Sequence, residues 1–222
     1  MSFYLKLNLI IIAFPLLFSF LPASRFYRNW RPLLFSIILV GGSFILWDIL
    51  FAARGAWSFN PQFVSGDRFF GLPYEELLFF VTVPYSCLFL YEGIVKYILD
   101  RGVGFSRTAY LMVAGLLIVS AIVFYSKVYT CAALLLCGLL FLAMAFWLER
   151  YLRSFVYWLW MVFVMLLFII FNYLLTSHPV VIYNPAAITN IRLATIPIED
   201  FFYNFCLLTL YLICYRLAKH DD

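Results

Sequence analysis

Seven long apolar segments constrain this chain more than any other feature of its sequence. They lie at about 3–21, 32–51, 74–99, 107–125, 129–148, 155–175 and 197–217. A helix that spans a bilayer needs roughly 20 mostly apolar residues. Of the 222 residues, 66% are hydrophobic and 12% are charged, whereas a soluble domain carries about 25% charged residues. The composition excludes a soluble enzyme and a disordered protein, and it predicts an all-α membrane protein with seven transmembrane helices.

The positive charges predict how the chain is oriented in the membrane. With the N-terminus outside, ten lysine and arginine residues fall in inner segments and five in outer segments. Because inner loops are enriched in these residues, we expect the N-terminus outside and the C-terminus inside a bacterial cytoplasmic membrane. The net charge of +4 forms no basic block, so nucleic acid is not an expected partner.

The two longest loops, about 52–73 and 176–196, are copies of one another. A shift of 124 relates Asn60 to Asn184, Arg68 to Arg192, Pro73 to Pro197 and Glu75 to Glu199. It also carries the first three spans onto the last three and places Asp48 on Asn172, a pair expected at the repeat interface. Equivalent spans are four places apart in the order of the spans. Because four is an even number, both copies cross the membrane in the same direction, and two parallel three-helix repeats are expected. We predict repeats at 1–101 and 127–222 and a connecting helix within 102–126.

An acidic pair follows the proline of each copy. The four acids are Glu75 and Glu76 in the first copy and Glu199 and Asp200 in the second. Proline suits the first position of a helix, and acids in the first turn complement the helix dipole, which is the purely structural interpretation. Ionisable groups near a bilayer usually face an interior cavity. We therefore expect both pairs to face one cavity and to work as acid and base.

Further residues have expected supporting roles around the acids. Arg68 and Arg192 each precede a glutamate by seven residues and are the expected charge partners. Asn60 and Asn184 precede prolines and suit turns. His178 has no second histidine nearby, so no metal site is expected. Neighbouring aromatic residues are expected to bind substrate and to stabilise a cation through their ring faces; they are Tyr74, Phe79, Phe80, Phe201, Phe202 and Tyr203.

The paired motif resembles the integral-membrane, non-flavin lycopene cyclases, in the fused form of the heterodimeric type. It reads Pro73-Tyr74-Glu75-Glu76 and Pro197-Ile198-Glu199-Asp200. The resemblance implies a redox-neutral cyclisation of lycopene through γ-carotene to β-carotene, with Glu75 and Glu199 as principal acid/base residues and Glu76 and Asp200 as their partners. It implies lycopene from the bilayer, membrane lipids and other carotenoid-pathway enzymes as partners. No bound cofactor is expected, since no dinucleotide-binding fingerprint is present.

Several alternatives stay open at this point. A cyclase for C50 carotenoids, or for ε or γ rings, fits the same motif. Parallel repeats and intramembrane acids also fit a small proton-coupled transporter. A retinal-binding receptor is disfavoured, because the four lysines all fall near segment ends. Which carboxyl group donates a proton and which accepts one is not decided by the sequence.

Overall fold

The computed structural model describes residues 1–104 and 106–220, without the side chain of His220. It is mostly helical. Its α-helices are α1 Phe3–Phe18, α2 Trp30–Ser36, α3 Gly42–Ala53, α4 Tyr74–Tyr97, α5 Arg107–Val123, α6 Val128–Phe146, α7 Glu149–Leu152, α8 Phe155–Ser177 and α9 Ile198–His220. Helix α2 is preceded by a 3-10 turn, Phe26–Asn29, and is joined to α3 by a π-helical segment, Ile37–Gly41. Together these segments form one long helix, Phe26–Ala53.

Within the described parts of the chain, five helices are long and apolar enough to cross a membrane. They are Phe26–Ala53, Tyr74–Tyr97, Val128–Phe146, Phe155–Ser177 and Ile198–Lys219. Helices α1 and α5 are also apolar but contain 16 and 17 residues. At about 1.5 Å per residue they are shorter than the roughly 30 Å hydrocarbon core. The helical, membrane-compatible fold is therefore confirmed, and each of the seven predicted segments contains an apolar helix.

Each of the two long loops carries a hairpin that the sequence analysis did not predict. The strands are β1 Trp57–Phe59, β2 Arg68–Phe69, β3 Leu72–Pro73, β4 Val181–Tyr183, β5 Arg192–Leu193 and β6 Ile196–Pro197. Strands β2 and β3 pair antiparallel, and β5 and β6 pair in the equivalent register. Phe70 and Gly71 have φ of 48° and 87° in the first turn, and Ala194 has φ of 54° in the second. Left-handed turn residues of this kind match the twist of a tight hairpin.

The chain divides into two compact units. The first contains Met1–Gly93, Leu174–Ile182 and, of the residues described at the C-terminal end, Leu207–His220. The second contains Ile94–Tyr173 and Tyr183–Cys206. The first acidic pair lies in the first unit, and the second pair lies in the second unit. The predicted repeat boundaries stay a prediction.

In the first unit, a tyrosine compensates for a proline inside α4. Pro84 has no N–H, so the carbonyl group of Phe80, four residues earlier, lacks its helical donor. The hydroxyl of Tyr211 donates a hydrogen bond to that oxygen at 2.8 Å. Gly41, at the end of the π-helical segment, makes room for it, because a Cβ there would lie 2.6 Å from the Tyr211 hydroxyl. The contact thus supports the helix that begins with the first acidic pair.

In the second unit, α5 and α6 approach closely through small residues. A Cβ on Gly138 would lie 2.7 Å from Cγ1 of Ile118 and 3.2 Å from the carbonyl oxygen of Ala114. Ala114 and Ala133 are completely buried. Small residues let helix backbones come together in an apolar environment, where packing rather than water exclusion holds helices to one another. Helices α5 and α6 are therefore in close contact along these small residues.

Candidate active site

All four candidate acids are buried in the first turn of a long helix. The hairpins β2–β3 and β5–β6 lead directly into α4 and α9, with Pro73 and Pro197 as the last strand residues. The exposed fraction is 0% for Glu75, 8% for Glu76, 0% for Glu199 and 4% for Asp200. A helix N-terminus favours a negative charge, but complete burial of a carboxyl group also requires hydrogen-bond partners. The partners differ between the two copies.

Glu75 accepts hydrogen bonds on both of its carboxylate oxygens. Its Oε1 accepts from the hydroxyl of Ser2 at 2.5 Å and from the backbone N–H of Ser65 at 2.7 Å. Its Oε2 accepts from the hydroxyl of Ser65 at 3.0 Å. Ser2 also caps α1, because its Oγ accepts from the N–H of Leu5. The first helix of the copy and the hairpin loop therefore both hold this acid in place.

Glu199 accepts hydrogen bonds on one oxygen only. Its Oε1 accepts from the Thr130 hydroxyl at 2.5 Å, the Thr189 N–H at 2.7 Å and the Thr189 hydroxyl at 2.8 Å. Its Oε2 is buried and has no hydrogen-bond partner among the described residues. The two leading acids thus share a backbone position but not a hydrogen-bond environment.

A tyrosine binds the second acid of each pair. The hydroxyl of Tyr4 donates to Oε2 of Glu76 at 2.8 Å, and the hydroxyl of Tyr129 donates to Oδ1 of Asp200 at 2.8 Å. The other oxygen of Asp200 accepts from two further side chains, Asn172 Nδ2 at 3.0 Å and Tyr183 OH at 2.7 Å. Both oxygens of Asp200 are therefore hydrogen-bonded, and Asn172 binds the second acid of its own copy.

The two copies are offset by 125 residues in their first helix and by 124 afterwards. Tyr4 and Tyr129 occupy equivalent places, since their N–H groups donate to the carbonyl oxygens of Phe63 and Ala187 at 3.1 and 3.0 Å. The expectation of one uniform shift is therefore wrong for this helix. The π-helical segment Ile37–Gly41 explains the difference, because i→i+5 bonding accommodates one extra residue in a helix. Helix α8 contains no such segment.

The expected pairing of the arginines with the acids is corrected by the structure. Nη1 of Arg68 donates to the carbonyl oxygen of Gly71 at 3.0 Å, and Nη1 of Arg192 donates to that of Thr195 at 2.7 Å. Both arginines are exposed and close their hairpins. No salt bridge between described residues involves the first acid of either copy. The arginines stay hydrated, because bringing them to the buried acids would carry a large desolvation cost.

The two asparagines shape the loops. Oδ1 of Asn60 accepts from the N–H of Gln62 at 3.1 Å, and Oδ1 of Asn184 accepts from the N–H of Ala186 at 2.9 Å. These are Asx turns, in which the side chain mimics a backbone turn. Asp48 is buried in α3 with 4% exposure. Its expected place at a repeat interface stays a prediction.

The predicted aromatic residues have different neighbours. Phe80 is buried in the first unit, and five others are half-buried: Tyr74, Phe79, Phe201, Phe202 and Tyr203. The ring of Tyr203 lies 6.3 Å from that of Tyr129, the donor to Asp200. The ring of Phe201 packs edge-on against Phe168 at 5.1 Å. Their role in binding a substrate stays a prediction, as does the single cavity expected for both acidic pairs.

The sequence analysis missed the hydroxyl groups that hold the acids. Ser65 and Thr189 are related by the shift of 124 and both carry a hydroxyl, so a closer comparison of the two copies would have found them. Tyr4 and Tyr129 do not align at a shift of 124, because the first copy contains one extra residue after its first helix. Ser2 and Thr130 do not correspond under either shift, and nothing in the sequence marks them.

This arrangement suits proton transfer in an apolar environment. The groups that bind the leading acids are hydroxyls and backbone N–H groups, and these are neutral. A hydroxyl can donate to a carboxylate and can also accept from a protonated carboxyl group. An acid held in this way can gain or lose a proton without leaving a buried cation unpaired. Positioned carboxyl groups of this kind act as general acids and bases.

The fold and the site define a helical, membrane-compatible protein with buried, hydrogen-bonded carboxyl groups. The family model described as lycopene cyclase matches residues 1–94 and 126–218. This is most of the chain, so the chain belongs to the lycopene cyclase family, whose members take part in carotenoid cyclisation. The two matched stretches start 125 residues apart and end 124 residues apart, which are the offsets that the hydrogen bonds reveal.

A curated relative supports the same family. The bifunctional lycopene cyclase/phytoene synthase of Neurospora crassa is 32% identical over 57 residues. Those residues make up 26% of this chain and 10% of the fungal protein. The match therefore spans about a tenth of that relative's length. No solved structure matches the chain significantly.

Proposed function

We propose that this protein is a lycopene β-cyclase, which closes the linear ends of lycopene through γ-carotene to β-carotene. The observation that carries the proposal is the burial of Glu75 and Glu199, each with 0% exposure at the start of an apolar helix. Each is held by neutral donors in a chain of the lycopene cyclase family. An acid out of contact with water is suited to protonate a hydrocarbon, because no solvent competes for the proton or for the cation.

The proposed reaction is an isomerisation in which one proton is added and one is removed. A carboxyl group protonates C2 of the terminal C1=C2 double bond, which leaves a cation at C1. The electron pair of the C5=C6 double bond forms the C1–C6 bond and moves the positive charge to C5. A carboxylate then removes the proton from C6, and its electron pair restores the C5=C6 double bond in a β ring. The formula of the carotenoid does not change, so no oxidant or reductant is required.

The roles of the residues follow from this scheme. Glu75 and Glu199 are the proposed acid/base residues, and Glu76 and Asp200 are their partners. The neighbouring rings of Tyr74, Phe79, Phe80, Phe201, Phe202 and Tyr203 are the proposed contacts for the polyene, and aromatic faces stabilise cations. We expect the substrate to enter from the bilayer and no cofactor to be bound.

The proposed architecture is a bundle of seven transmembrane helices, with α1 and α5 as its shorter spans. Two parallel three-helix repeats are joined by α5, with the N-terminus outside and the C-terminus inside a bacterial cytoplasmic membrane. The hairpins and Asx turns that recur at a shift of 124 support the repeat. The excess of lysine and arginine in the proposed inner segments supports the orientation.

Expression in a bacterium engineered to accumulate lycopene tests the function. We expect chromatography of the extracted pigments to show β-carotene, with γ-carotene at early times. The matched control is Glu92→Gln, the same chemical change on α4 but outside the motif, where Glu92 binds Tyr215 and Lys219. This variant should still form β-carotene. Unchanged lycopene in cells that contain the wild-type protein in their membranes would refute the proposal.

A further inference from the structure

The two leading acids differ in a way that identifies the proton donor. We infer that Glu199, rather than Glu75, delivers the proton that starts ring closure; this inference rests on the proposed function. The assignment comes from the number of hydrogen bonds on each carboxylate oxygen. The sequence alone left it open, because both acids occupy the same position of the motif.

The hydrogen bonds of Glu199 are all on one oxygen. Three donors from Thr130 and Thr189 reach Oε1, at 2.5, 2.7 and 2.8 Å. Oε2 is buried in a side chain with 0% exposure and has no partner among the described residues. If Glu199 were ionised, this oxygen would carry part of a negative charge with no hydrogen-bond donor among the described residues to stabilise it. Such a buried, unpaired charge is more costly than a neutral group in the same place.

A proton on Oε2 removes this conflict. The three donors can keep their bonds to Oε1, which is then the carbonyl oxygen of a carboxylic acid. The O–H on the other oxygen is left without a competing acceptor among the described residues. An acid with a free O–H in an apolar environment is suited to protonate a carbon–carbon double bond.

Glu75 has no oxygen available for a proton in this way. Oε1 accepts from the Ser2 hydroxyl and the Ser65 N–H, and Oε2 accepts from the Ser65 hydroxyl. A proton on Oε2 would be donated to the Ser65 hydroxyl, which can accept a hydrogen bond as well as donate one. Glu75 therefore has no free O–H to present to a substrate.

The proton balance of the step is simple. The Oε2–H bond of Glu199 breaks, its electron pair stays on the oxygen, and the proton forms a C–H bond at C2 of the polyene. C1 becomes cationic and is attacked by the C5=C6 double bond. Glu199 is a carboxylate after this step and regains a proton before the next ring closure. Ring closure ends when a base removes the proton from C6.

Isolated membranes containing Glu199→Gln or Glu75→Gln, supplied with lycopene at equal protein content, test the assignment. Loss of the donor prevents the cation from forming. We expect E199Q to slow lycopene consumption by about 100-fold or more, as for other general acids, and to leave lycopene as the only pigment. E75Q keeps the free O–H of Glu199 and should therefore consume lycopene faster than E199Q does.

A second pair of variants distinguishes loss of the carboxylic acid from misfolding of the protein. Glu199→Asp keeps a carboxylic acid and should recover at least about tenfold over E199Q, whereas Glu199→Asn should not. Aberrant cyclic products from E199Q, or untouched lycopene with both glutamine variants, would overturn the assignment. Wild-type membranes that leave lycopene unchanged would instead refute the proposed function, so the two failures are distinguishable.

Discussion

The first copy of the motif surrounds its leading acid with donors on both oxygens, whereas in the second copy one oxygen has no partner among the described residues. The backbone frame is the same in both, since a hairpin, an Asx turn and a helix start recur at a shift of 124. The difference comes from two equivalent hydroxyl groups, because that of Ser65 donates to Oε2 of Glu75 whereas that of Thr189 donates to Oε1 of Glu199. A duplicated frame can therefore hold two carboxyl groups in different hydrogen-bond environments.

The largest effect is expected when the second acid of the second copy is given a charged neighbour. Asn172→Asp would place a carboxylate at the group that now donates to Asp200 at 3.0 Å. Two acids at this distance cannot both be ionised without a large cost. We expect the initial rate of lycopene conversion in membranes to fall by about 100-fold, which is roughly 2.7 kcal/mol in the barrier. Asn29→Asp, the same change in the 3-10 turn Phe26–Asn29 and outside the motif, is the control, and equal rates for both variants would contradict the structure.

An intermediate effect is expected when the leading acid of the first copy is made to resemble that of the second. Ser65→Ala removes the hydroxyl that binds Oε2 of Glu75. Thr189→Ala leaves Oε1 of Glu199 with two other donors. Because a hydrogen bond to a charged group is worth about 1.5–3 kcal/mol, S65A should lower the rate roughly tenfold. T189A should lower it less, and a larger loss in T189A would reverse the comparison.

The smallest effect concerns the π-helical segment that distinguishes the second helix of the first copy. Gly41→Ala would push a methyl group against the hydroxyl of Tyr211, 2.6 Å away, and disturb its bond to Phe80. Overpacking of this kind costs about 1–3 kcal/mol, so the thermal midpoint in detergent should fall by several degrees. Gly42→Ala is the matched control, because nothing lies within 4 Å of its added Cβ. Equal midpoints for the two variants would show that the contact contributes nothing.

Sequence reasoning succeeded where the signal was an apolar run or a repeated motif. The helices, the equivalent loops and the four acids all follow from such patterns, and the family was indicated by the paired Pro-x-Glu-acid motif. It failed where partners come from distant parts of the chain. Glu75 is 73 residues from Ser2, and Glu199 is 69 residues from Thr130, so no local pattern could pair them.

The arginines show why charge alone misled the sequence reasoning. Arg68 and Arg192 are near the acids in the sequence, but a two-residue turn lets each close its own hairpin instead. The one-residue insertion was also invisible, because a π-helical segment absorbs it inside an apolar run without changing composition. Both features depend on backbone geometry, which the type of any single residue does not reveal.

The pigments of lycopene-accumulating cells that carry the Glu75→Gln/Glu199→Gln double variant test the central claim most directly. If the buried leading acids perform the proton transfers, these cells should contain lycopene alone, whereas cells with the wild-type protein contain β-carotene. Thermal midpoints and membrane content would establish that the double variant is folded. β-Carotene formed by the double variant at the wild-type level would contradict the account.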